Sequence, residues 1–369
     1  MTNATATPPA VPPSVSLFRK RLRKFRTLKR GYWSFLALVI AYAASFLLPL
    51  LINNRALLVR CQGEYYCPVW TGYFPASTFG QKGIGETKYR ALAEEFRARG
   101  GTDWVLLAPH PYGKNESLLD MPGYPPHKPS WEHPLGTDDR DRDVLARLAY
   151  GFNLSITFAV ILTLFSYTIG VAVGAILGYF GGRIDILGQR LVEIWTAVPF
   201  LFTVMILSAL VTPKFYPERH ELAQPAFWLL IAILGTFGWM GMTSYIRGEF
   251  YREKAKDYVS AAVATGASDF DIIFKHILPN ALTPVVTFTP FYFVAEITSL
   301  VSLDFLGFGL PPPTPSWGET LGQGLQLITS AWWLVTFPTL ALFLTLLLVV
   351  FIGEAIREAF DPKVYSRLR

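Results

Sequence analysis

Charge, cysteine and histidine are all scarce in this sequence, and each shortage removes a class of function. Only 16% of the 369 residues are charged, against 51% hydrophobic and 15% aromatic, and the mean hydropathy is +0.33. Soluble globular chains carry about a quarter charged residues, so this is the composition of a membrane protein. The two cysteines, Cys61 and Cys67, have no further Cys or His residues nearby to complete a zinc site, and no metal is expected. The five histidines include no H-E-x-x-H spacing; His110, His127 and His133 stand in polar loops without a nucleophile beside them. A phosphate-binding G-x-x-x-x-G-K-S/T loop is also missing, since Gly113-Lys114 and the glycines around Gly83 lack the spacing. Ionisable residues within the apolar runs are nearly confined to Glu193 and Glu296. Proton-driven carriers and intramembrane hydrolases need more such groups, and no pair of inverted halves with matching broken helices is visible. Any energy for transport must therefore come from another chain.

The net charge of +6 does not indicate nucleic acid. Basic residues cluster beside apolar segments, where lipid headgroups and topology account for them, and no nucleic-acid motif accompanies them.

What the chain does contain is a set of apolar runs, which predict an all-α integral membrane protein. Residues 1–16 are rich in Pro, Ala and Thr, the composition of a disordered tail. In Leu17–Arg30, Leu17, Phe18, Leu22, Phe25 and Leu28 share one helical face and eight Lys/Arg surround it, an interfacial amphipathic helix on the bilayer. Six spans follow by length and hydropathy: Trp33–Ile52, Leu154–Phe180, Leu191–Val211, Pro225–Ile246, Leu282–Val301 and Trp333–Gly353. The inner connections, including the C-terminal tail, carry two, five and four Lys/Arg, the short outer ones two and none, so both termini are expected in the cytoplasm. The resulting division is a cytoplasmic tail and interfacial helix over 1–30, a first transmembrane helix over 31–52 and an external insertion over 53–150. A five-helix core over 151–353, with a cytoplasmic loop at 247–281, precedes a cytoplasmic tail over 354–369.

Within the insertion, Glu86–Arg99 reads as one surface helix and the rest as ordered loop packed by Trp70, Tyr73, Phe74, Trp104 and Trp131. Cys61 and Cys67 lie on the oxidising side with Gly63 between them and are expected to form a disulfide. The aspartates 138, 139, 141 and 143 are interleaved with Arg140, Arg142 and Arg147, a pattern of ion pairs rather than of a cation site. In the second span, Gly170, Gly174 and Gly178 recur every four residues and mark a face for close helix packing. Glu193 is expected at the interface. For Glu296 two readings stay open, a place on a translocation pathway and a structural hydrogen bond.

The stretch around which the rest is organised is polar: YVSAAVATGASDFDIIFKHILPN, Tyr258–Asn280. Asp257–Ala264 predicts a short helix with Val259, Ala262 and Val263 on its inner side. Gly266 supplies a turn. Ser268 is the N-cap of a second helix, with Asp271 three residues on, and Ile272, Ile273, Phe274 and Ile277 line its inner face. Pro279 is expected to end it. Small residues, Ala261, Ala262, Ala264, Gly266 and Ala267, are expected outward, a flat surface for a partner.

These spacings resemble the coupling loop of ABC-importer permeases, and GASDFDIIFKHILPN is similar to the oligopeptide and dipeptide importer branch. Ser260 stands where that family usually has Glu. Two further segments resemble the same branch. HPLGTDDRDRDVLAR precedes the second span, with Asp141 in a position usually occupied by Gly, so a different turn is expected there. LDFLGFGLPPPTPSWGE follows the fifth span and reads as a rigid external turn; its Asp304 in place of the common Ser, with the long first outer loop, is similar to the microcin C and peptide importer subgroup. The resemblance covers roughly Gly136 to the C-terminus. It implies a type I importer permease fold in a bacterial inner membrane and uptake of peptides or peptide-like compounds. It also implies a second homologous permease, one or two ATPase chains that hold the ATP and magnesium, and an extracytoplasmic binding protein. Ser260, Ala261, Ala262, Gly266, Ala267, Ser268 and Asp269 would dock into the ATPase. No catalytic residue and no cofactor is expected in this chain. The alternatives are a permease of the same branch for nickel or a glycoside, and a membrane scaffold that transports nothing.

Overall fold

The computed structural model describes residues 17–82, 84–118, 121–215 and 223–361. The Pro-, Ala- and Thr-rich stretch over 1–16 and the last part of the C-terminal tail lie outside them. Among the described residues the regular structure is helical apart from one small sheet. Helix α1 (Leu17–Thr27) and α2 (Lys29–Ser45) are followed by a single turn, α3 (Leu48–Leu51). The insertion over 53–150 holds β1 (Leu58–Cys61), β2 (Glu64–Tyr66), a turn of helix α4 (Pro68–Thr71), α5 (Tyr89–Arg99) and β3 (Trp104–Leu106). Then come α6 (Val144–Phe180), α7 (Gly182–Thr196), α8 (Phe200–Phe215), α9 (Ala223–Lys254), α10 (Asp257–Ala264) and α11 (Asp269–Asp271). A widened turn over Ile272–Ile277 leads into α12 (Leu278–Phe305), and α13 (Trp317–Gln326) and α14 (Trp333–Phe360) complete the chain.

Among the described residues, four helical stretches are long and apolar enough to cross a bilayer: α6, α9, α11 through α12, and α14. The pair α7 and α8 forms a fifth only as a broken span, bent by 71°. The sequence pattern places a loop over 181–190 and one helix over 191–211; instead helix resumes at Gly182 and breaks before Phe200. Pro199 explains the break, because it disfavours helical geometry at Val198 and has no N–H to give.

The Gly170, Gly174 and Gly178 face does pack closely, and its partner is α9. A Cβ on Gly170 would lie 2.7 Å from Trp239 O and Met242 Cβ, one on Gly174 2.6 Å from Thr243 O, and one on Gly178 2.5 Å from Phe250 Cβ. Only bare backbone allows α6 and α9 to approach so nearly. Gly31 plays the same part between α2 and α14, where a Cβ would collide with Ala355.

Helix α1 does not spend its whole apolar face on lipid. Phe25 is buried against Ala355 and Ala359 of α14, Arg21 lies 4.8 Å over the Phe360 ring, and Lys24 pairs with Glu358 at 3.5 Å. The two ends of the described chain are thus joined.

The insertion over 53–150 is more regular than its sequence suggests. β1 is central, antiparallel to both β2 and β3. One face of the sheet, with Val59, Cys61, Tyr66 and Val105, packs on Phe79, Tyr89, Leu92 and Phe96. Of the aromatics expected to pack this region only Phe74 joins that core; Trp70, Tyr73, Trp104 and Trp131 are exposed. Helix α5 starts at Tyr89 rather than Glu86.

The expected disulfide is absent. Cys61 faces Glu64 and Val59 faces Tyr66 across the β1–β2 hairpin, so Cys67 falls three positions along the ladder from Cys61, roughly 10 Å at the rise of a strand. That exceeds the span of an S–S bond, and both thiols are free. The short loop between them is a hairpin turn, with φ of +54° at Gln62 and +88° at Gly63, the positive pair that a two-residue hairpin requires.

Candidate functional site

The polar segment between α9 and α12 is held from behind and open in front. Val259 and Ala262 of α10 are buried with Ile246 and Phe250 of α9 and with Ile272, Ile277 and Ala281. Gly266 turns the chain with φ +78° and has no atom within 4 Å of where a Cβ would sit. The Ser268 hydroxyl accepts from the Asp271 amide at 3.2 Å and donates to its carboxylate at 2.7 Å, capping α11. Asp269 accepts a bond from the Tyr179 hydroxyl at 2.5 Å, and Lys254 donates to the Tyr179 carbonyl. The segment is therefore tied to the C-terminal end of α6. Tyr258 donates to Glu253 at 2.9 Å, and burial, followed by that carboxylate, raises the pKa of its phenol.

Two details differ from the sequence pattern. Pro279 does not end the second helix. It sits in the first turn of α12, where its missing N–H costs least, and the widened turn before it absorbs the mismatch, so the segment runs directly into a span. The outward surface also has different members. Ser260, Ala261, Ala264, Gly266, Ser268 and Asp269 are exposed, whereas Ala262 is buried and Ala267 half-buried. Val263, Phe270 and Phe274 are instead 58%, 67% and 50% exposed, and the two phenyl rings lie 4.4 Å apart. Helical spacing alone could have marked Phe270 and Phe274, four residues apart, as one face.

At the opposite end of the bundle, the two segments singled out by resemblance are locked together. Arg147, fully buried at the start of α6, pairs with Glu319 of α13 and donates to the carbonyls of Lys114 at 3.1 Å and Thr314 at 3.3 Å. Arg142 bridges Asp138 at 2.7 Å and Glu319 at 3.0 Å. Trp317 donates to Leu148 O and Trp333 to Thr137 O, each at 3.0 Å. Asp304 accepts from the Leu310 amide at 2.7 Å and from Ser316, which caps α13. This is the ion-pair network that the alternating Asp and Arg residues predict. Asp141 takes the left-handed backbone itself, with φ +56°, which aspartate tolerates better than most residues, and its carboxylate is held by His127 at 2.8 Å and Thr137 at 3.3 Å.

Asp143, grouped in the sequence with the ion-pairing aspartates, instead caps α6. It accepts from the Ala146 amide at 2.7 Å, His110 at 3.0 Å and His133 at 2.8 Å. Burial pushes this carboxyl up, and the hydrogen bonds from the two imidazoles and the amide outweigh it, leaving the pKa below the ordinary aspartate value. An Asp immediately before an apolar helical run is a helix-start signal.

Glu296 lies half-buried in α12 and has no hydrogen-bond partner among the described residues. Its Oε1 is 3.6 Å from the point where a Cβ on Gly238 of α9 would stand, a point also crowded by Ser166 of α6. Glu193 stands near the end of α7, exposed and paired with Arg190 at 2.6 Å.

Residues 170–366 match the family model described as binding-protein-dependent transport system inner membrane component. The chain belongs to this family. As a permease it is 41% identical over 345 residues to the inner membrane ABC transporter permease protein YejE of Escherichia coli (strain K12), covering 93% of this chain and 96% of that one. It is 36% identical to the peptidoglycan transport system permease protein YejE of Agrobacterium fabrum, covering 94% and 93%. The oligopeptide transport system permease protein OppC of Haemophilus influenzae is 36% identical over 71% of this permease and 75% of its own length. Among solved structures, an inward-facing MetNI methionine ABC transporter chain is similar with a TM-score of 0.47 and 18% identity, over 59% of this permease and 97% of that chain. The family model and the permease relatives give this chain the role of a transport subunit.

Proposed function

We propose that this permease is one of two nonidentical transmembrane subunits of an ATP-driven importer for peptides or peptide-like compounds in a bacterial inner membrane. In this reading it has the type I importer fold, with six spans and both termini in the cytoplasm. The α2 and α3 helices form the first span, and bent α7 and α8 the third. The second permease, the ATPase chains that bind ATP and magnesium, and the extracytoplasmic binding protein are separate polypeptides. Peptide uptake is supported by the relatives named for oligopeptide and peptidoglycan transport.

The observation that carries the reading is the segment over 257–277, anchored behind and bare in front. Its small residues Ser260, Ala261, Ala264 and Gly266 leave room for a partner, and Val263, Phe270 and Phe274 present apolar surface that a cleft in an ATPase would cover. Ser268 and Asp269 hold its turn; Ala262 and Ala267 support it from within. The tie from Asp269 to Tyr179 would carry movement of this surface into α6. Glu296 lines the pathway on this reading, because an unpartnered carboxylate at membrane depth is costly and is seldom kept for packing alone.

The test is Gly266→Arg in the assembled transporter. No neighbour within the chain obstructs a side chain there, and the strain of a positive φ costs about 1 kcal/mol, so insertion in the membrane should persist. Co-purification of the ATPase and peptide uptake should both fall at least tenfold. Uptake at the parental rate would remove the coupling assignment.

A further inference from the structure

A cleft of about 520 Å³ lies where the single turn α3, the second turn of α6 and the insertion over 53–150 meet, within the size range of small-molecule sites. Most polar side chains in its wall are already engaged. Arg55 pairs with Glu86 at 2.6 Å, and Glu116 with Arg90 at 2.7 Å. Asn53 donates to Pro49 O at 3.2 Å, and the Tyr150 hydroxyl donates to Ile52 O at 3.0 Å. Asn115, with its amide turned to donate, reaches Pro313 O at 2.6 Å. Lys114 and Asn54 are left over.

Lys114 carries the one charge in this wall that is not neutralised among the described residues. Its carbonyl is held from the bundle side by Arg147 at 3.1 Å. Its Nζ lies 4.7 Å over the ring of Tyr150, another wall residue, so the ammonium lies along the cleft. The ring face steadies the cation, but no carboxylate is in ion-pair range and none of its three donors meets an acceptor among the described residues. Burial pushes its pKa down, and no neighbouring charge acts against that shift. A half-buried ammonium without a counter-charge is costly. Asn54 lies against Gly113, where a Cβ would stand 2.7 Å from its Oδ1, and its amide makes no hydrogen bond among the described residues.

We infer that this cleft binds a phosphate group, with Lys114 as its cation and the Asn54 amide as a second donor. The charged oxygens of a phosphate only accept, which matches an ammonium with three donors and an amide with two. A phospholipid headgroup and free phosphate both present that chemistry. The headgroup source rests on the six-span reading above: α3 closes the first span, and Tyr150 stands one turn before Leu154, where the second begins, so the cleft lies at headgroup level. The free anion does not depend on that reading. A headgroup bound here would fasten the insertion to the membrane surface beside the bundle.

The test is calorimetric titration of the purified full chain in a nonionic detergent with dihexanoylphosphatidylglycerol below its micellar concentration, inorganic phosphate and dihexanoylglycerol. Saturable binding of the phospholipid or of phosphate is expected, and none of the phosphate-free glyceride. Tighter binding of the phospholipid identifies a headgroup, tighter binding of inorganic phosphate a free anion. Lys114→Met should weaken binding at least tenfold at an unchanged melting temperature, because Arg147 holds the carbonyl of residue 114 and not its side chain. Lys114→Arg should stay within about threefold of the parent, and Asn54→Ala should weaken binding about threefold. Equal binding of the glyceride, unchanged affinity in Lys114→Met, loss of binding in Lys114→Arg as complete as in Lys114→Met, or no binding of either phosphate would overturn the site. Peptide uptake by a transporter whose permease fails this titration would leave the transport reading standing.

Discussion

Arg147 and Glu319 are 172 positions apart in the chain and form a buried ion pair between α6 and α13. Because Arg142 shares the same glutamate, the two partners are not equivalent. Glu319→Ala leaves the two buried guanidinium groups of Arg142 and Arg147 with Asp138 as their one remaining carboxylate and should cost about 3–4 kcal/mol. Arg147→Met leaves Glu319 paired with Arg142 and should cost less, about 1–3 kcal/mol, chiefly through the carbonyls of Lys114 and Thr314 that lose a donor. Thermal unfolding of the detergent-solubilised chain should rank the variants in that order; the reverse ranking would show that the network is not organised by Glu319.

Asp143 predicts an acid-sensitive joint. Its pKa is held below the unfolded value of about 3.9, so its contribution is fully present above that value. The contribution is lost as pH falls through the lower, folded pKa. Asp143→Asn should lower stability at pH 7 by about 1–2 kcal/mol, the cost of a weakened cap, and should flatten the stability profile below pH 4. Melting curves from pH 3 to pH 7 for both proteins measure this, and parallel profiles would exclude Asp143 as the source.

The cysteines should both react with a maleimide in the denatured chain without prior reduction. In the folded chain Cys67 should react first, since Cys61 is buried and its thiol pKa is raised by burial and then by Asp103, which lowers its thiolate fraction. Label that appears only after reduction would restore the disulfide and contradict the β1–β2 register.

Hydropathy and short-range spacing were enough to read much of this molecule. The apolar runs, the Gly170, Gly174 and Gly178 face and the Ser268 cap depend on local periodicity, the glycines also on the absence of a side chain. Family membership was equally legible, because its motifs are contiguous. Other features depend on which distant segments meet. Whether Pro279 breaks a helix or opens one turns on the widened turn before it and on α12 beyond. Whether Val263 or Ala262 faces outward is decided by the position of α9. Cys61 and Cys67 looked close enough to bond until strand pairing drew them roughly three residues apart along an extended ladder. The partner of Arg147 could not be read locally, since a charge is buried only where a carboxylate from elsewhere in the chain arrives to meet it.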